Sequence, residues 1–491
     1  MGPQSLDLTG HVWTHWNAGQ GQLGRSELVA WPHGVDLVPL LGGWLDILAG
    51  SLVVGVLGPV AAYNLVSALY LFVAGVGGWA LARVAGANRW GAAAAGLLLQ
   101  IDGYTVHHLL GGRTEQAGVG FVALALAAAW SLRAPGWRAV RTGLAGAVVV
   151  VVSWEHALLL AGILAWMVPW LRWDRARATG WAVAAATCAL VVAPWAWVFL
   201  DRAMDIRLVD EGASTVDWAG NHAITLLPWL TDGQLRPSVL ALLCLPVVRG
   251  RAWLGACVGL LVCVLLALGP TPGLRAAGDL GFTGPWVLFQ HLPVVGWFHT
   301  PDRLLLALDL AAITAAGLVV TRARWLAPAA LVALLAAGFV HQHRTAWPRG
   351  VWRAPVYPEL RDLPGEGALL DLPVASPGLD AMRYQNLQLL HGRPIPHHMT
   401  LPHLTTDAPA LLLEDLPALA ALASRSPSSP IGGLDADLEA LRERGYSWLV
   451  LHPRFVPVEE RSARKRALRR LLGPPTLELD DHWIGWRLDA G

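Results

Sequence analysis

Apolar residues fall into long runs along the chain, separated by short polar connections. A transmembrane helix needs about 20 mostly apolar residues, or somewhat fewer where protein partly buries it. By this criterion we identify ten candidate spans: 60–82, 91–109, 117–132, 139–154, 156–171, 181–200, 237–248, 252–268, 304–320 and 325–341. The pattern predicts a mostly α fold, a polytopic bundle of transmembrane helices over residues 60–341. The junction near Ser153 fits either two short spans or one bent helix.

Two polar regions flank this predicted bundle. Residues 1–59 are rich in Trp, Gly and Pro and read as an outer N-terminal loop region. Within it, 37–57 is apolar, but Asp46 and the Gly42-Gly43 pair favour an interfacial helix over a span. Residues 345–491 hold 34 of the 71 charged residues, which is typical of a soluble domain.

The C-terminal region alternates strand-like and helix-like patterns. This alternation predicts a soluble α/β domain. The predicted strands are 368–372 and 446–452, the predicted helices are 408–424, 435–444 and 458–472, and a hairpin is predicted at 476–488.

The arginines of the short connections indicate which side of the membrane each loop faces. Cytoplasmic loops carry an excess of Lys and Arg. Alternate connections hold twelve arginines and a single acid, Asp174; the arginines are Arg83, Arg89, Arg133, Arg138, Arg141, Arg172, Arg175, Arg177, Arg249, Arg251, Arg322 and Arg324. We therefore expect a multi-pass membrane protein with both termini and any chemistry on the extracytoplasmic side. An outer N-terminus implies either a span upstream of residue 1 or translocation of the segment without one, and we favour the upstream span.

Composition supports a membrane protein and excludes several other classes. Apolar residues make up 55% of the chain and charged residues 14%, whereas soluble proteins carry about 25% charged residues. A net charge of +1 gives no electrostatic basis for nucleic-acid binding, so no nucleic-acid partner is expected. The four cysteines lie in apolar stretches, which indicates neither a disulfide framework nor a metal site.

The first candidate for chemistry is the segment from Asp7 to Trp13. Ionisable groups near membrane spans are expensive to place and are therefore functional candidates. Asp7 could act as a general base on an acceptor hydroxyl, with His11 as a substrate-binding neighbour. The alternative interpretation of Asp7 is an N-cap of a short helix.

A second candidate cluster joins two predicted spans at the outer surface. Glu115 could serve as a second catalytic acid or a metal ligand, and Arg113 could bind a phosphate with two hydrogen bonds. His107 and His108 are candidate substrate ligands, although an interfacial turn with snorkelling side chains explains them equally well.

A third cluster immediately precedes the span at 304–320. His299 and Arg303 could stabilise a departing phosphate by donating hydrogen bonds. Alternatively, Arg303 anchors the helix end or pairs with Asp302. No nucleotide-binding or hydrolase motif is present in the right context. No residue is assigned to a metal; a divalent cation is compatible with the acids but is not required by them.

Several short motifs follow one another in a recognisable order along nearly the whole chain. They are Asp7–Trp13 (DLTGHVW), Trp31-Pro32-His33-Gly34, Leu57-Gly58-Pro59, Gly112–Glu115, Leu292–Arg303, His391–Ile395 and Tyr446–His452. This order resembles bacterial membrane proteins related to the C-type glycosyltransferases, which use polyprenyl-phosphate sugars. The resemblance implies a multi-span transferase of the bacterial cytoplasmic (inner) membrane. Its first outer loop carries the carboxylate that acts as general base, here Asp7, with Glu115 as the assisting acid.

The resemblance implies an enzyme that transfers a hexosyl or pentosyl group from a polyprenyl-phosphate donor. The expected partners are membrane lipid, the lipid-linked sugar, and a glycan, lipid or protein acceptor outside the cytoplasm. The alternative from another class is a non-catalytic membrane protein that binds or translocates lipid-linked glycans, with the C-terminal domain as a docking module.

Overall fold

A computed structural model describes most of the chain and is mostly helical, with a small sheet. The described residues are 3–38, 43–167, 171, 173–205, 261–273, 280–290, 301–323, 358–374, 381–398, 408–423, 433–479 and 482–488. The predicted spans 237–248 and 325–341, most of 252–268, and His299 lie outside these ranges.

The N-terminal region folds as two helices joined by a short hairpin. The elements are α1 (Pro3–Gly19), β1 (Arg25–Ser26), β2 (Val35–Asp36) and α2 (Leu45–Leu57), and β1 pairs antiparallel with β2. At 13 residues, α2 is shorter than the roughly 20 needed to cross a bilayer. It packs between α1 and the helix that follows it.

The apolar runs fold as helices. They are α3 (Pro59–Val84), α4 (Arg89–Gln100), α5 (Gly103–Leu110), α6 (Val119–Ser131), α7 (Trp137–Val152), α8 (Trp154–Met167), α9 (Arg175–Asp205), α10 (Trp286–Gln290) and α11 (Leu305–Arg322). Within the described residues, Pro59–Val84, Arg175–Val198 and Leu305–Arg322 are long and apolar enough to cross a membrane. The total of ten spans stays a prediction.

Two of the predicted runs are divided by a polar residue. The run at 91–109 is two helices, because the Asp102 carboxylate accepts a hydrogen bond from the Tyr104 backbone N–H at 2.9 Å and starts α5. The run around Ser153 is also two helices, since Ser153 has an extended backbone (φ −165°, ψ 127°) between α7 and α8. The structure therefore selects two helices over one bent helix at this junction.

Glycines allow the long helices to pack at close range. A Cβ added to Gly91 of α4 would lie 2.1 Å from the Gly317 carbonyl oxygen of α11. A Cβ on Gly77 of α3 would lie 2.3 Å from the Gly120 carbonyl oxygen of α6. Small residues at such crossings bring helix backbones together, which is the usual packing mode inside a bilayer.

The C-terminal region is a four-stranded sheet with helices around it. The elements are β3 (Ala368–Leu372), α12 (Met382–His391), α13 (Ala408–Asp415), α14 (Pro417–Ala423), α15 (Leu434–Glu443), β4 (Tyr446–Leu451), α16 (Val458–Leu472), β5 (Leu477–Leu479) and β6 (Trp483–Arg487). The strand order is β3-β4-β6-β5, with β3 parallel to β4 and the other pairs antiparallel. The predicted helix 408–424 is two helices, separated at Leu416 before Pro417.

Candidate functional site

Helix α1 directs two histidines towards two carboxylates. His11 and His15 are four residues apart and so lie on one face of the helix. His11 Nδ1 lies 3.7 Å from Glu115 Oε2, and His15 Nε2 lies 3.8 Å from Asp46 Oδ2. The His15 ring is fully buried, whereas the His11 side chain keeps 22% of its surface exposed. The site is therefore accessible from the His11 side.

Three of these side chains converge on one point. Ligand atoms of His11, Asp46 and Glu115 all lie within 4.8 Å of one another. Both carboxylate oxygens of Asp46 and Oε2 of Glu115 are buried without a hydrogen-bond partner among the described residues. Buried carboxylates are normally hydrogen-bonded, paired with a cation or bound to a metal. We call His11, Asp46 and Glu115 the acidic cluster.

Glycines make room for the acidic cluster. A Cβ on Gly50 of α2 would lie 2.3 Å from His15 Nδ1, so only glycine lets that ring rest against α2. A Cβ on Gly43 would lie 2.7 Å from the Glu115 Cβ and 2.1 Å from the Val152 carbonyl oxygen. These contacts explain why one glycine precedes α2 and another lies within it, both near its single carboxylate, Asp46.

The environment of Glu115 favours its protonated form. Burial raises the pKa of the Glu115 carboxyl above its ordinary value. His11 opposes this shift, the charge of Asp46 adds to it, and Arg303 opposes it more weakly. A carboxyl tuned in this direction can hold or release a proton closer to neutral pH than an exposed glutamate.

A series of hydrogen-bonded polar side chains lies next to the acidic cluster. Arg303 forms an ion pair with Glu155, the first-turn acid of α8. Gln116 donates from Nε2 to Glu155 Oε2 at 2.9 Å, and the Tyr104 hydroxyl donates to Gln116 Oε1 at 3.5 Å. Arg303 therefore pairs with an acid from another helix, 148 residues away along the chain. This partner is neither of the alternatives that the sequence suggested.

Cationic groups lie close enough to the acidic cluster to act on it electrostatically. Arg303 lies within electrostatic range of both Glu115 and Arg113. The ring of His108 packs 4.3 Å from the Tyr104 ring and is buried, which excludes the snorkelling arrangement for this histidine. The Arg113 and Arg303 guanidinium groups can thus approach a common anion near the carboxylates.

The structure brings together some of the predicted site residues and leaves others undescribed. His11 and Glu115 are in contact, with Arg113, Arg303 and His108 close by. Asp7 lies within α1 rather than at its start, so it is not an N-cap. The side chains of Asp7 and of His107, which lies in α5, are outside the described part of the structure, as is His299.

Sequence reasoning missed Asp46 as a site residue. Its signal was available, because Asp46 is the single acid in the apolar stretch 37–57. We used it only to argue against a span, although a lone carboxylate in such a stretch is by default a functional candidate. Gln116 had no comparable signal, because its role depends on the distant Glu155.

The acidic cluster offers the donor set of a divalent cation site. One imidazole nitrogen and two carboxylates suit borderline cations such as Mn²⁺ or Zn²⁺. The observation in favour of this fit is that buried oxygens of Asp46 and Glu115 accept no hydrogen bond from the described residues. The sequence offered Glu115 as an acid or a metal ligand and assigned no metal site, so the cation is a proposal.

Comparison with known proteins gives the fold. No family model and no curated protein matches the chain. Among solved structures, the arabinofuranosyltransferase AftD from Mycobacteria (mutant R1389S, class 2) superposes with a TM-score of 0.55 at 18% identity over 92% of this chain. A second AftD structure (class 1) gives the same TM-score at 20% identity over 91% of the chain. ArnT from Cupriavidus metallidurans, bound to undecaprenyl phosphate, superposes with a TM-score of 0.50 at 12% identity over 99% of the chain.

The chain has the fold of the C-type membrane glycosyltransferases. Three of its helices within the described residues are long and apolar enough to cross a membrane, which supports a membrane location. The match covers 94% of ArnT but only 36% of AftD, so the chain spans little more than a third of that enzyme. At these identities the likeness establishes the C-type fold, and donor and acceptor must be argued from the site.

Proposed function

We propose that this protein is a membrane glycosyltransferase that transfers a sugar from a polyprenyl-phosphate donor to an acceptor outside the cytoplasm. The observation that carries the proposal is the acidic cluster with Arg113 and Arg303 beside it, in a chain of C-type fold. Carboxylates can remove a proton from an acceptor, and guanidinium groups can stabilise a departing phosphate.

The proposed step forms one bond and breaks one. A carboxylate, assigned to Asp7 with Glu115 assisting, takes the proton from an acceptor hydroxyl. The acceptor oxygen then bonds to the anomeric carbon of the sugar as the bond from that carbon to the phosphate oxygen breaks. The electron pair leaves with polyprenyl phosphate, whose negative charge Arg113 and Arg303 stabilise. His11, His107, His108 and His299 are assigned to substrate binding.

We further propose that His11, Asp46 and Glu115 hold a divalent cation. Such a cation would supply positive charge for a phosphate at the site. Two carboxylates give the cluster the negative charge that attracts a cation, and the exposed edge of His11 gives an entrance.

Asp7→Asn and Glu115→Gln in the full-length protein test the proposal. Membranes containing each variant are supplied with a panel of radiolabelled polyprenyl-phosphate hexoses and pentoses, and glycan products are counted. We expect both substitutions to lower transfer by at least 100-fold, in line with loss of a general base. Asp36→Asn is the matched control, because Asp36 is an acid of the same N-terminal region whose carboxylate accepts from the Val38 backbone N–H.

Unchanged transfer in Asp7→Asn would refute the assignment of the base. Donor binding without turnover in the unmodified protein would instead support the non-catalytic alternative, a protein that binds or moves lipid-linked glycans.

A further inference from the structure

Helix α1 is packed on two sides. One face carries His11 and His15 towards the acidic cluster. Trp13, between them along the chain, is almost fully buried in a hydrophobic core that otherwise includes Tyr384, Trp448 and other residues of the C-terminal region. The same helix therefore belongs to the candidate active site and to the C-terminal fold.

One side chain of the C-terminal region holds α1 and the segment that follows it. Gln388 of α12 is fully buried, and its Oε1 accepts a hydrogen bond from Trp13 Nε1 at 2.7 Å. Its Nε2 donates to the backbone carbonyls of Leu28 and Arg393. All the polar atoms of this side chain are thus engaged, and they join three separate segments of the chain.

Further hydrogen bonds, from backbone and side-chain groups, hold the segment after α1, residues 28–31, against the C-terminal region. The Ile395 N–H donates to the Leu28 carbonyl at 2.9 Å, and the Trp31 N–H donates to the Ile395 carbonyl at 3.2 Å. The Trp31 indole N–H donates to the Arg444 carbonyl at 3.0 Å, and the Tyr446 hydroxyl donates to the Trp31 carbonyl at 3.1 Å. Residues 28–31 therefore pack as part of the fold of the C-terminal region.

We propose that Gln388, acting through Trp13, is a positioning residue for the acidic cluster. A shift of Trp13 moves His11 and His15, since each is two residues from it on one rigid helix. The His11–Glu115 and His15–Asp46 distances, 3.7 and 3.8 Å, are short enough for a small displacement to separate each pair. The C-terminal region then helps to complete the site. The effect of Gln388 on catalysis rests on the proposed function, whereas its effect on the position of α1 does not.

Two conservative substitutions test the proposal in the full chain. Gln388→Met keeps the approximate size of the side chain and removes its hydrogen bonds, and Trp13→Phe removes only the indole N–H and part of the ring. The control is Asp437→Asn, because Asp437 is also buried in the C-terminal region but accepts from the Leu419 backbone N–H at 2.8 Å, away from α1.

The first readout needs neither cation nor substrate. Diethyl pyrocarbonate modifies accessible imidazoles, so peptide mapping should show modified His11 and protected His15 in the unmodified protein. We expect modification of His15 to rise about tenfold in Gln388→Met and Trp13→Phe, as loss of one hydrogen bond predicts for a local opening. It should stay at the unmodified level in Asp437→Asn.

The second readout is Mn²⁺ affinity, measured by electron paramagnetic resonance. Removing a group that orients metal ligands lowers affinity by about 10- to 100-fold, and we expect this in both α1-contact variants and not in the control. Protected His15 in both variants would overturn the proposal, as would an equal rise in Asp437→Asn. If the unmodified protein binds no Mn²⁺, the proposed cation site fails, and His15 protection alone decides whether Gln388 positions α1.

Discussion

Replacing Asp46 with Asn should make the protein more stable while removing its response to divalent cations. The carboxylate oxygens of Asp46 and Glu115 lie within 4.8 Å of each other. When both carboxyls are ionised, two negative charges at that distance repel by about 3 kcal/mol at an effective dielectric constant of about 20. Protonation of Glu115, whose pKa burial raises, relieves this repulsion, so this figure is the upper limit of the gain. Asparagine removes this repulsion and keeps the size of the side chain, but its amide is also buried without partners.

Leaving a buried amide unsatisfied costs about 1–3 kcal/mol in mutational data. The net expectation is therefore an increase of up to roughly 2 kcal/mol in the free energy of unfolding when no divalent cation is present. A cation that binds only the folded state adds about 2.7 kcal/mol at a concentration 100 times its Kd. The unmodified protein should gain about this much from Mn²⁺, whereas Asp46→Asn should gain almost nothing.

Thermal unfolding in detergent micelles measures both effects. Each protein is melted in EDTA and again across a Mn²⁺ series, with Asp437→Asn as the matched control. The control should be slightly less stable in EDTA, because an amide oxygen accepts the Leu419 N–H bond more weakly than a carboxylate does, and it should keep the full Mn²⁺ shift. The reasoning is refuted if Asp46→Asn is less stable than the unmodified protein in EDTA or keeps its Mn²⁺ shift.

Three further predictions, two of substitutions and one of a pH dependence, concern other parts of the structure and are tested by thermal unfolding of the full chain. Arg303→Gln should lower the free energy of unfolding by roughly 3 kcal/mol, because it leaves Glu155 buried without its cation, and adding Glu155→Gln should restore part of the loss. Gly50→Ala should displace the His15 ring and lower stability by roughly 1–3 kcal/mol, since overpacking forces a shift. Burial lowers the pKa of His391 from 6.5 to about 4. As the pH falls, the unfolded chain therefore takes up a proton before the folded protein does. The free energy of unfolding should fall between these two pH values, by up to roughly 3 kcal/mol.

Each of these has a distinct contrary outcome. Losses from the Arg303 and Glu155 substitutions that simply add would show that the two side chains do not interact. A Gly50→Ala protein as stable as the unmodified one would show that His15 does not rest on that glycine. For His391 the comparison is with His391→Asn, which retains an acceptor for the Arg393 N–H; an equally steep loss between pH 6.5 and 4 in that variant would assign the pH dependence to other groups.

Local features of the fold were predictable because they depend on local patterns. The strand at Ala368–Leu372 and the helix at Val458–Leu472 occur with the predicted bounds, since period-2 and period-3.6 patterns act over a few residues. The long apolar helix Pro59–Val84 was equally clear. The division of 91–109 was missed because one carboxylate, Asp102, caps a helix inside an otherwise continuous apolar run.

The candidate site was only half predictable because its members come from distant parts of the chain. The acidic cluster joins residues from α1, from the start of α2 and from the turn before α6, and their approach depends on glycine contacts at Gly43 and Gly50. Sequence patterns indicate that a carboxylate is unusual, but not which other residue it meets. The partnership of Trp13 with Gln388, 375 residues apart, is of the same kind.

The position of α12 links the stability of the C-terminal region to the geometry of the candidate site. Gln388 and His391 are one turn apart on this helix, and the groups acting electrostatically on His391 are Asp371, His452 and Arg393. Protonation of His391 at low pH places a charge in this buried interior, which weakens the packing that holds Gln388. Because Gln388 bonds α1 directly, the first consequence should be movement of α1 rather than global unfolding. The backbone amides of α1 should therefore lose their protection from hydrogen exchange at a higher pH than that at which the protein melts. Simultaneous loss of amide protection and of the folded state would show that α1 and the C-terminal region open only together.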